Sequence, residues 1–141
     1  MKKIFISSDH AGFKLKEDIK MHLKKKRISF NDLGPKNDVK VDYPDYAHKV
    51  AKKVKIGKKN VGILVCGSGI GMNIAANKHK NIRAAQCFNL KSAKLSRLHN
   101  DANIITLGSR LMSKKNAFNY ISVFLSTRFE GGRHSRRIKK I

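Results

Sequence analysis

Residues 61–77 read VGILVCGSGIGMNIAAN, and this stretch decides the fold. Residues 61–65 are a short apolar run rich in β-branched side chains, which predicts a strand buried on both faces. Residues 66–71 set a thiol and a hydroxyl among three glycines. Residues 72–77 are compact and apolar and look like the first turns of a helix. A strand that enters a helix through a glycine-rich turn leaves unpaired backbone N–H groups at one point, so we expect an anionic ligand or intermediate there.

The thiol of Cys66 gives this turn two interpretations. It is predicted to lie at the carboxyl end of the strand, where ligands of open α/β sheets bind, and a helix N-terminus favours the thiolate form. Many intracellular cysteines are simply small buried hydrophobes, so the spacing leaves both interpretations open. The turn is neither a P-loop, because no lysine follows Gly71, nor the dinucleotide fingerprint, because its third glycine comes one residue early.

Length and composition bound the class of protein. The chain has 141 residues, of which 40% are hydrophobic, so we expect a single domain over residues 1–141 with a real core. No apolar run approaches the ~20 residues of a membrane span, and the N-terminal apolar patch is too short for a signal peptide. We therefore expect a cytoplasmic protein with no membrane partner. Cys66 and Cys87 form no C-x-x-C pair and indicate neither a zinc site nor a disulfide framework.

The formal net charge of +23 is extreme. The lysines are spread along the whole chain, Lys16 and Lys20 among them, and no aromatic residues alternate with them in a basic stripe. This pattern favours a solvated basic surface that also steers anionic substrates, with no nucleic acid partner. A basic nucleic-acid-binding module is the alternative from a different class.

Apolar patterning predicts five strands, each followed by a helix. The strands are expected at residues 3–7, 28–33, 61–65, 82–87 and 104–107. The helices are expected at residues 13–26, 42–54, 72–77, 90–98 and 116–127, with a polar tail at 128–141. This alternation predicts an α/β fold with a five-stranded parallel sheet between helices on both faces. The carboxyl ends of the strands then carry Asp9 and His10, the 66–71 turn, and Arg110.

Three polar groups have two interpretations each. Asp9-His10 is an acid/base pair, or a helix cap followed by a surface histidine. His99-Asn100 is a proton donor with a binding amide, or a polar turn, and it falls on the loop that enters the fifth strand rather than at the carboxyl edge. Arg133 and Arg137 share a face if the tail is helical and then suit a phosphate group; otherwise they belong to a solvated tail.

Six stretches together carry a family resemblance that spans almost the whole chain in order. They are Ser8-Asp9-His10-Ala11-Gly12, Asp42-Tyr43-Pro44, residues 66–71, Ala75-Ala76-Asn77-Lys78, residues 95–101 and Phe129-Glu130-Gly131-Gly132-Arg133-His134. In them the chain resembles the B-type ribose-5-phosphate isomerases, a family that includes the galactose-6-phosphate isomerase subunits. The resemblance implies a Rossmann-like αβα sandwich that forms a homodimer, or a tetramer, with each active site at a subunit interface. It also implies interconversion of ribose 5-phosphate and ribulose 5-phosphate in the pentose phosphate pathway, without metal or cofactor. A galactose-6-phosphate isomerase subunit is the alternative within the family.

The resemblance assigns the proton-transfer chemistry to a few positions. Cys66 is the base that moves a proton between C1 and C2, and His99 protonates the ring oxygen with help from Asp9. The enediolate is stabilised by the Ser68 hydroxyl, where family members often have threonine, and by loop amides. These amides belong to Gly67, Ser68, Gly69, Ile70 and Gly71. The chemistry suits the residues, since such a transfer needs one base, a fixed geometry and donors for a developing oxyanion.

Substrate binding is assigned to the remaining family positions. The phosphate is held by His10, Arg133 and Arg137. The pocket is completed by Tyr43, Asn100 and Arg110. The sequence does not say which of these groups a partner subunit supplies.

Overall fold

The computed structural model describes residues 2–141 as one five-stranded sheet between helices. The strands are β1 (Ile4–Ser8), β2 (Asn31–Asp32), β3 (Val61–Cys66), β4 (Ala84–Gln86) and β5 (Ile104–Gly108). The helices are α1 (Phe13–Lys25), α2 (Tyr43–Val54), α3 (Ile70–Ala76), α4 (Leu90–Asn100), α5 (Lys114–Ser126) and α6 (Arg133–Ile138). The strand order is β2-β1-β3-β5-β4 and every pairing is parallel. The predicted α/β class and parallel sheet are confirmed.

The central strand β3 is buried along its whole length and divides the core in two. Its side chains alternate between the faces, as the period of a strand requires. Ile63 and Val65 pack with α1, α4 and α5. Leu64 and Cys66 pack with α2 and α3. The result is a three-layer sandwich whose β3–α3 turn lies at the carboxyl edge of the sheet.

The lateral strands are shorter than expected. The strand β2 covers residues 31–32, where the sequence predicts 28–33, and β4 covers residues 84–86, where the sequence predicts 82–87. Ile28 and Phe30 are apolar because they pack against the core beside the sheet. Ile82 is likewise buried in the core beyond the end of its strand. Apolar patterning reports burial, and it overstates strand length wherever a buried segment has no neighbouring strand.

The end of α4 was predicted wrongly, and the structure decides the conformation of the tail, which the sequence left open. The prediction ends α4 at residue 98, whereas α4 runs to Asn100, so His99 and Asn100 belong to its last turn. Asp101 ends this helix in a left-handed conformation and pairs with Arg97 at 2.8 Å. The tail also contains α6, which follows the positive-φ residues Gly131 and Gly132.

Lys16 is not part of the solvated basic surface. Its side chain is fully buried, and Nζ donates to Asp32 Oδ1 at 3.0 Å and to the carbonyl of Pro35 at 2.7 Å. Lys20 contacts the second oxygen of Asp32 at 2.6 Å. Between them these two lysines hold the segment after β2 against α1.

Across residues 2–141, none of the helices combines the length and the apolar character that crossing a membrane would require.

Candidate active site

The β3–α3 turn presents the thiol of Cys66 to a backbone donor. The Gly69 N–H donates to Cys66 Sγ over 3.2 Å. Gly69 has a φ of +77°, a conformation that glycine adopts without the steric penalty of a side chain. The Ser68 hydroxyl accepts from the Ile70 N–H at 3.2 Å, which fixes its direction at the start of α3. The thiol and the hydroxyl of this short turn therefore line one cleft, and two of its backbone amides hold them in place.

The turn is anchored to the end of β5. The carbonyls of Cys66 and Gly67 accept from the backbone N–H groups of Ser109 and Arg110, at 2.8 and 3.0 Å. A Cβ atom on Gly67 would lie 2.9 Å from a guanidinium nitrogen of Arg110, so this side chain lies directly over the turn. The structure therefore places a cationic group against the amide-rich turn, and both favour an anionic ligand.

Asp9 and His10 follow β1 at the same edge. Asp9 is buried and its Oδ1 accepts from the Gly12 N–H at 2.9 Å, as a helix cap would. His10 Nδ1 accepts from the Val41 N–H at 3.2 Å, so a neutral His10 ring carries its proton on Nε2. The contacts are compatible with both interpretations of this pair. Asp9 caps the turn that precedes α1, and His10 keeps one N–H donor for a ligand.

These groups line one cleft of about 300 Å³. Its predicted members are Asp9, His10, Tyr43, Cys66, Gly67, Ser68, Gly71 and Arg110. Tyr43 begins α2 and covers Gly71, where a Cβ atom would lie 2.6 Å from its ring. The predicted binding residues Gly69 and Ile70 do not line the cleft, and their N–H groups are bonded within the turn to Cys66 Sγ and the Ser68 hydroxyl. Sequence reasoning missed Ala11 and Leu111, which also line the cleft and could have been found as the next residues after His10 and Arg110.

The remaining predicted residues form a separate group on α4 and α6. His99 stacks on the ring of His134, with centroids 4.4 Å apart and planes 14° from parallel. Glu130 Oε2 lies 3.8 Å from His99 Nε2 and 3.5 Å from His134 Nε2. Burial, together with the neighbouring His99 ring and the Arg133 guanidinium, lowers the pKa of His134. Because nitrogen lone pairs lie in the ring planes and these planes are nearly parallel, the two rings do not point at one common metal position.

The two groups lie at opposite edges of the sheet. In a parallel sheet each helix returns the chain to the amino edge, so the end of α4 lies beside the start of β5. The Ala102 N–H accordingly bonds to the Ser96 carbonyl just before Ile104. Arg133 and Arg137 belong to α6, which packs on α4, and both are exposed. Within one chain the structure therefore does not bring His99, Asn100, Arg133 or Arg137 to the cleft.

The second cysteine is inert by contrast. Cys87 is fully buried, and burial raises the pKa of its thiol to about 11 despite hydrogen bonds from Ser96 and Ser92. It lines no part of the cleft. Cys66 is the thiol that a ligand in the cleft meets.

Fold and cleft together define an α/β protein with a small, amide-lined and cation-lined cleft at the carboxyl edge of a parallel sheet, beside a thiol. Comparison with known proteins is more specific, since a family model described as Ribose/Galactose Isomerase matches residues 4–141. The chain belongs to this family.

Relatives cover nearly the whole chain. A putative sugar phosphate isomerase of Rickettsia bellii is 49% identical over 138 residues, which is 98% of this chain and 96% of the relative. The ribose-5-phosphate isomerase B of Escherichia coli is 43% identical over 141 residues, 100% of this chain and 95% of the relative.

Solved structures agree with the fold. A ribose 5-phosphate isomerase of Thermotoga maritima has a TM-score of 0.95 at 50% identity, covering 98% of this chain and 95% of that one. The ribose-5-phosphate isomerase B of Mycoplasma genitalium, with bound ribulose-5-phosphate, has a TM-score of 0.94 at 47% identity, covering 99% of this chain and 93% of that one. The Rossmann-like sandwich that the resemblance implied is confirmed.

Proposed function

We propose that this protein is a ribose-5-phosphate isomerase that interconverts ribose 5-phosphate and ribulose 5-phosphate. The observation that carries the proposal is the Cys66 thiol, held at 3.2 Å from the Gly69 N–H in a cleft whose walls include Ser68 and Arg110. Relatives named as B-type isomerases, one of them with ribulose-5-phosphate bound, support the choice of substrate.

Cys66 acts as the base in the proposed reaction. Its thiolate takes the proton from C2 of the open-chain aldose, and the electron pair of that C–H bond forms the enediolate. The thiol then returns a proton to C1, while a proton passes from the C2 oxygen to the C1 oxygen, which yields the ketose. The negative oxygen is stabilised by the Ser68 hydroxyl and by the loop amides other than those of Gly69 and Ile70, which are bonded within the turn. Such preorganised donors are commonly the largest electrostatic contribution to catalysis.

Ring opening and phosphate binding are assigned to the group on α4 and α6. We propose that a second copy of the chain supplies it, since His99 and Arg137 lie at the far edge of the sheet from their own cleft. In a two-fold homodimer each chain would give its α4–α6 group to the cleft of the other. His99 then protonates the ring oxygen with help from Asp9, Asn100 contacts the sugar, and the phosphate lies between His10, Arg133 and Arg137.

An exposed apolar surface beside the cleft supports such a dimer. It comprises Ile70 and Ile74 on α3, Phe88 between β4 and α4, and Leu90 at the start of α4. Each of these side chains is at least 50% exposed. Ile70 and Ile74 are four residues apart and share one face of α3, next to the turn that carries Cys66. Large apolar side chains exposed in this number indicate an interaction site, and a second copy would cover them while bringing in the missing residues.

The direct test is to incubate the purified protein with ribose 5-phosphate and measure the ketose that forms. Cys66→Ala is expected to fold, to bind the phosphosugar and to lose roughly 10²–10⁴-fold in turnover, the usual contribution of a general base. Cys87→Ala is the control and should retain full turnover, since its thiol lies away from the cleft. Near-full turnover in Cys66→Ala would remove the thiol from the mechanism.

Two further measurements separate the alternatives. Galactose 6-phosphate as substrate tests the other activity named for the family. A gel shift that weakens steeply with salt would favour the nucleic-acid-binding alternative, because such binding releases counterions from the phosphate backbone.

A further inference from the structure

Gln86 holds the catalytic turn with its side chain. Its Nε2 donates to the carbonyl of Ser68 at 2.8 Å. The carbonyls of the two preceding residues, Cys66 and Gly67, are held by backbone N–H groups of the segment after β5. A carbonyl oxygen can only accept, so the NH₂ group of the Gln86 amide must face it. The turn therefore has one anchor that a substitution can remove without breaking a main-chain hydrogen bond.

The anchored peptide also carries the donor to the thiol. The Ser68 carbonyl and the Gly69 N–H belong to one planar peptide group and point in opposite directions. The Gly69 N–H donates to Cys66 Sγ at 3.2 Å. Holding the carbonyl end therefore sets the direction of the N–H end.

The peptide also packs on the backbone of β5, where a Cβ atom on Gly69 would lie 2.9 Å from the carbonyl carbon of Leu107. Gly108 lies beneath it, and a Cβ atom there would be 2.6 Å from the Ser68 oxygen, so the strand offers contact but no side chain. Gly69 has a φ of +77° and no side chain that restricts rotation. To this backbone packing Gln86 adds a directional restraint, because its side chain donates to the Ser68 carbonyl at 2.8 Å.

We propose that Gln86 is a positioning residue, which aims the Gly69 N–H at Cys66 and so favours the thiolate that acts as base. The role of Cys66 as base rests on the proposed function. A hydrogen bond to an ionised acceptor is stronger than one to the neutral form, so a well-aimed N–H raises the thiolate fraction. The titratable or charged groups that line the same cleft are Asp9, His10, Tyr43 and Arg110, and a substitution at residue 86 leaves all of them in place.

The test compares Gln86→Met with the parent, both in a Cys87→Ala background, so that Cys66 is the one thiol left to modify. The rate of alkylation by iodoacetamide is measured at about pH 7 and about pH 10, around the range where free thiols ionise. The ratio of the neutral to the alkaline rate is expected to fall about fivefold in Gln86→Met, because the donor to the thiolate is no longer held. In the isomerase assay kcat is expected to fall about tenfold while KM stays within about twofold.

Asn60→Leu is the matched control. Asn60 also donates a side-chain amide hydrogen bond to a carbonyl, that of Lys53 at 3.0 Å, but at the opposite end of β3. It should lower the thermal midpoint without changing the alkylation ratio. If Gln86→Met likewise lowers the thermal midpoint without changing the alkylation ratio, Gln86 is a structural support only and the proposal is overturned. An inactive parent would refute the isomerase assignment instead, and the alkylation ratio would still decide the role of Gln86.

Discussion

Two inactive variants should restore activity when their subunits are mixed. Cys66→Ala removes the base from the cleft, and His99→Asn removes the proton donor from the α4–α6 group. These groups lie at opposite edges of the sheet. The two strands that separate them, β3 and β5, are six and five residues long, which corresponds to roughly 20 Å and 17 Å at about 3.3 Å per residue. If each site joins the cleft of one chain to the α4–α6 group of the other, a mixed dimer has one site with both changes and one site with neither.

The size of the recovery follows from the symmetry. Random reassociation of equal amounts makes about half of the dimers mixed, and each of these has one intact site out of two, so about one quarter of the wild-type activity returns. The variants are unfolded together in denaturant, refolded, and assayed with ribose 5-phosphate against each variant treated alone.

A pair of variants from the same group gives the control. Cys66→Ala mixed with Asp9→Asn should recover nothing, because both residues line the same cleft and every mixed dimer then lacks an intact site. Recovery with this pair but not with His99→Asn, or no recovery in either mixture when refolding returns folded dimers, would refute the two-chain site.

Two further variants test the exposed tail and the buried lysine. Arg137→Ala is expected to raise KM for the phosphorylated sugar about tenfold or more, the value of one charge-assisted hydrogen bond, and an equal effect of Lys140→Ala would indicate bulk charge rather than a phosphate contact. Asp32→Asn is expected to lower the free energy of unfolding by about 3 kcal/mol near neutral pH, since it leaves Lys16 buried without its carboxylate. Burial raises the pKa of Asp32, but hydrogen bonds from Lys20, the backbone and Lys16 outweigh burial and lower this pKa overall from 3.8. The stability that the Asp32 carboxylate contributes is therefore present above 3.8 and is lost as the pH falls through the pKa of the folded state. Urea unfolding should therefore show a smaller difference from wild type at about pH 3 than at about pH 7, and an equal difference at both would contradict the ion-pair explanation.

The pattern of apolar residues predicted strands correctly where a buried segment also pairs with a neighbouring strand. Residues 61–65 are apolar because β3 is covered on both faces, and the glycines at 67, 69 and 71 mark a turn with close approaches to Arg110, β5 and Tyr43. It was a poor guide at residues 28–33, where Ile28 and Phe30 are apolar but only Asn31–Asp32 pair with β1.

Helix ends in the second half of the chain were also poorly predicted. The polar run at 99–103 resembles a loop, yet α4 continues to Asn100 because Arg97 and Asp101 stabilise its last turn. The helix α6 is short and basic, and His134 is its one buried residue, so its sequence carries no apolar period to reveal it.

The sequence by itself determined the order of strands and helices, the parallel sheet and the position of the thiol-containing turn, because these depend on local patterns of burial and on glycine. Only the tertiary structure decided which distant residues meet. It divided the candidate residues into a cleft group and an α4–α6 group, since helix direction in a parallel sheet returns His99 to the far edge. The tertiary structure also buries Lys16 against Asp32 and places the Gln86 amide on the Ser68 carbonyl. The residues near Lys16 and Gln86 in the sequence give no sign that these two side chains differ from surface side chains. Such contacts join segments that lie far apart in the chain, and they are set by the packing of whole layers rather than by local preference.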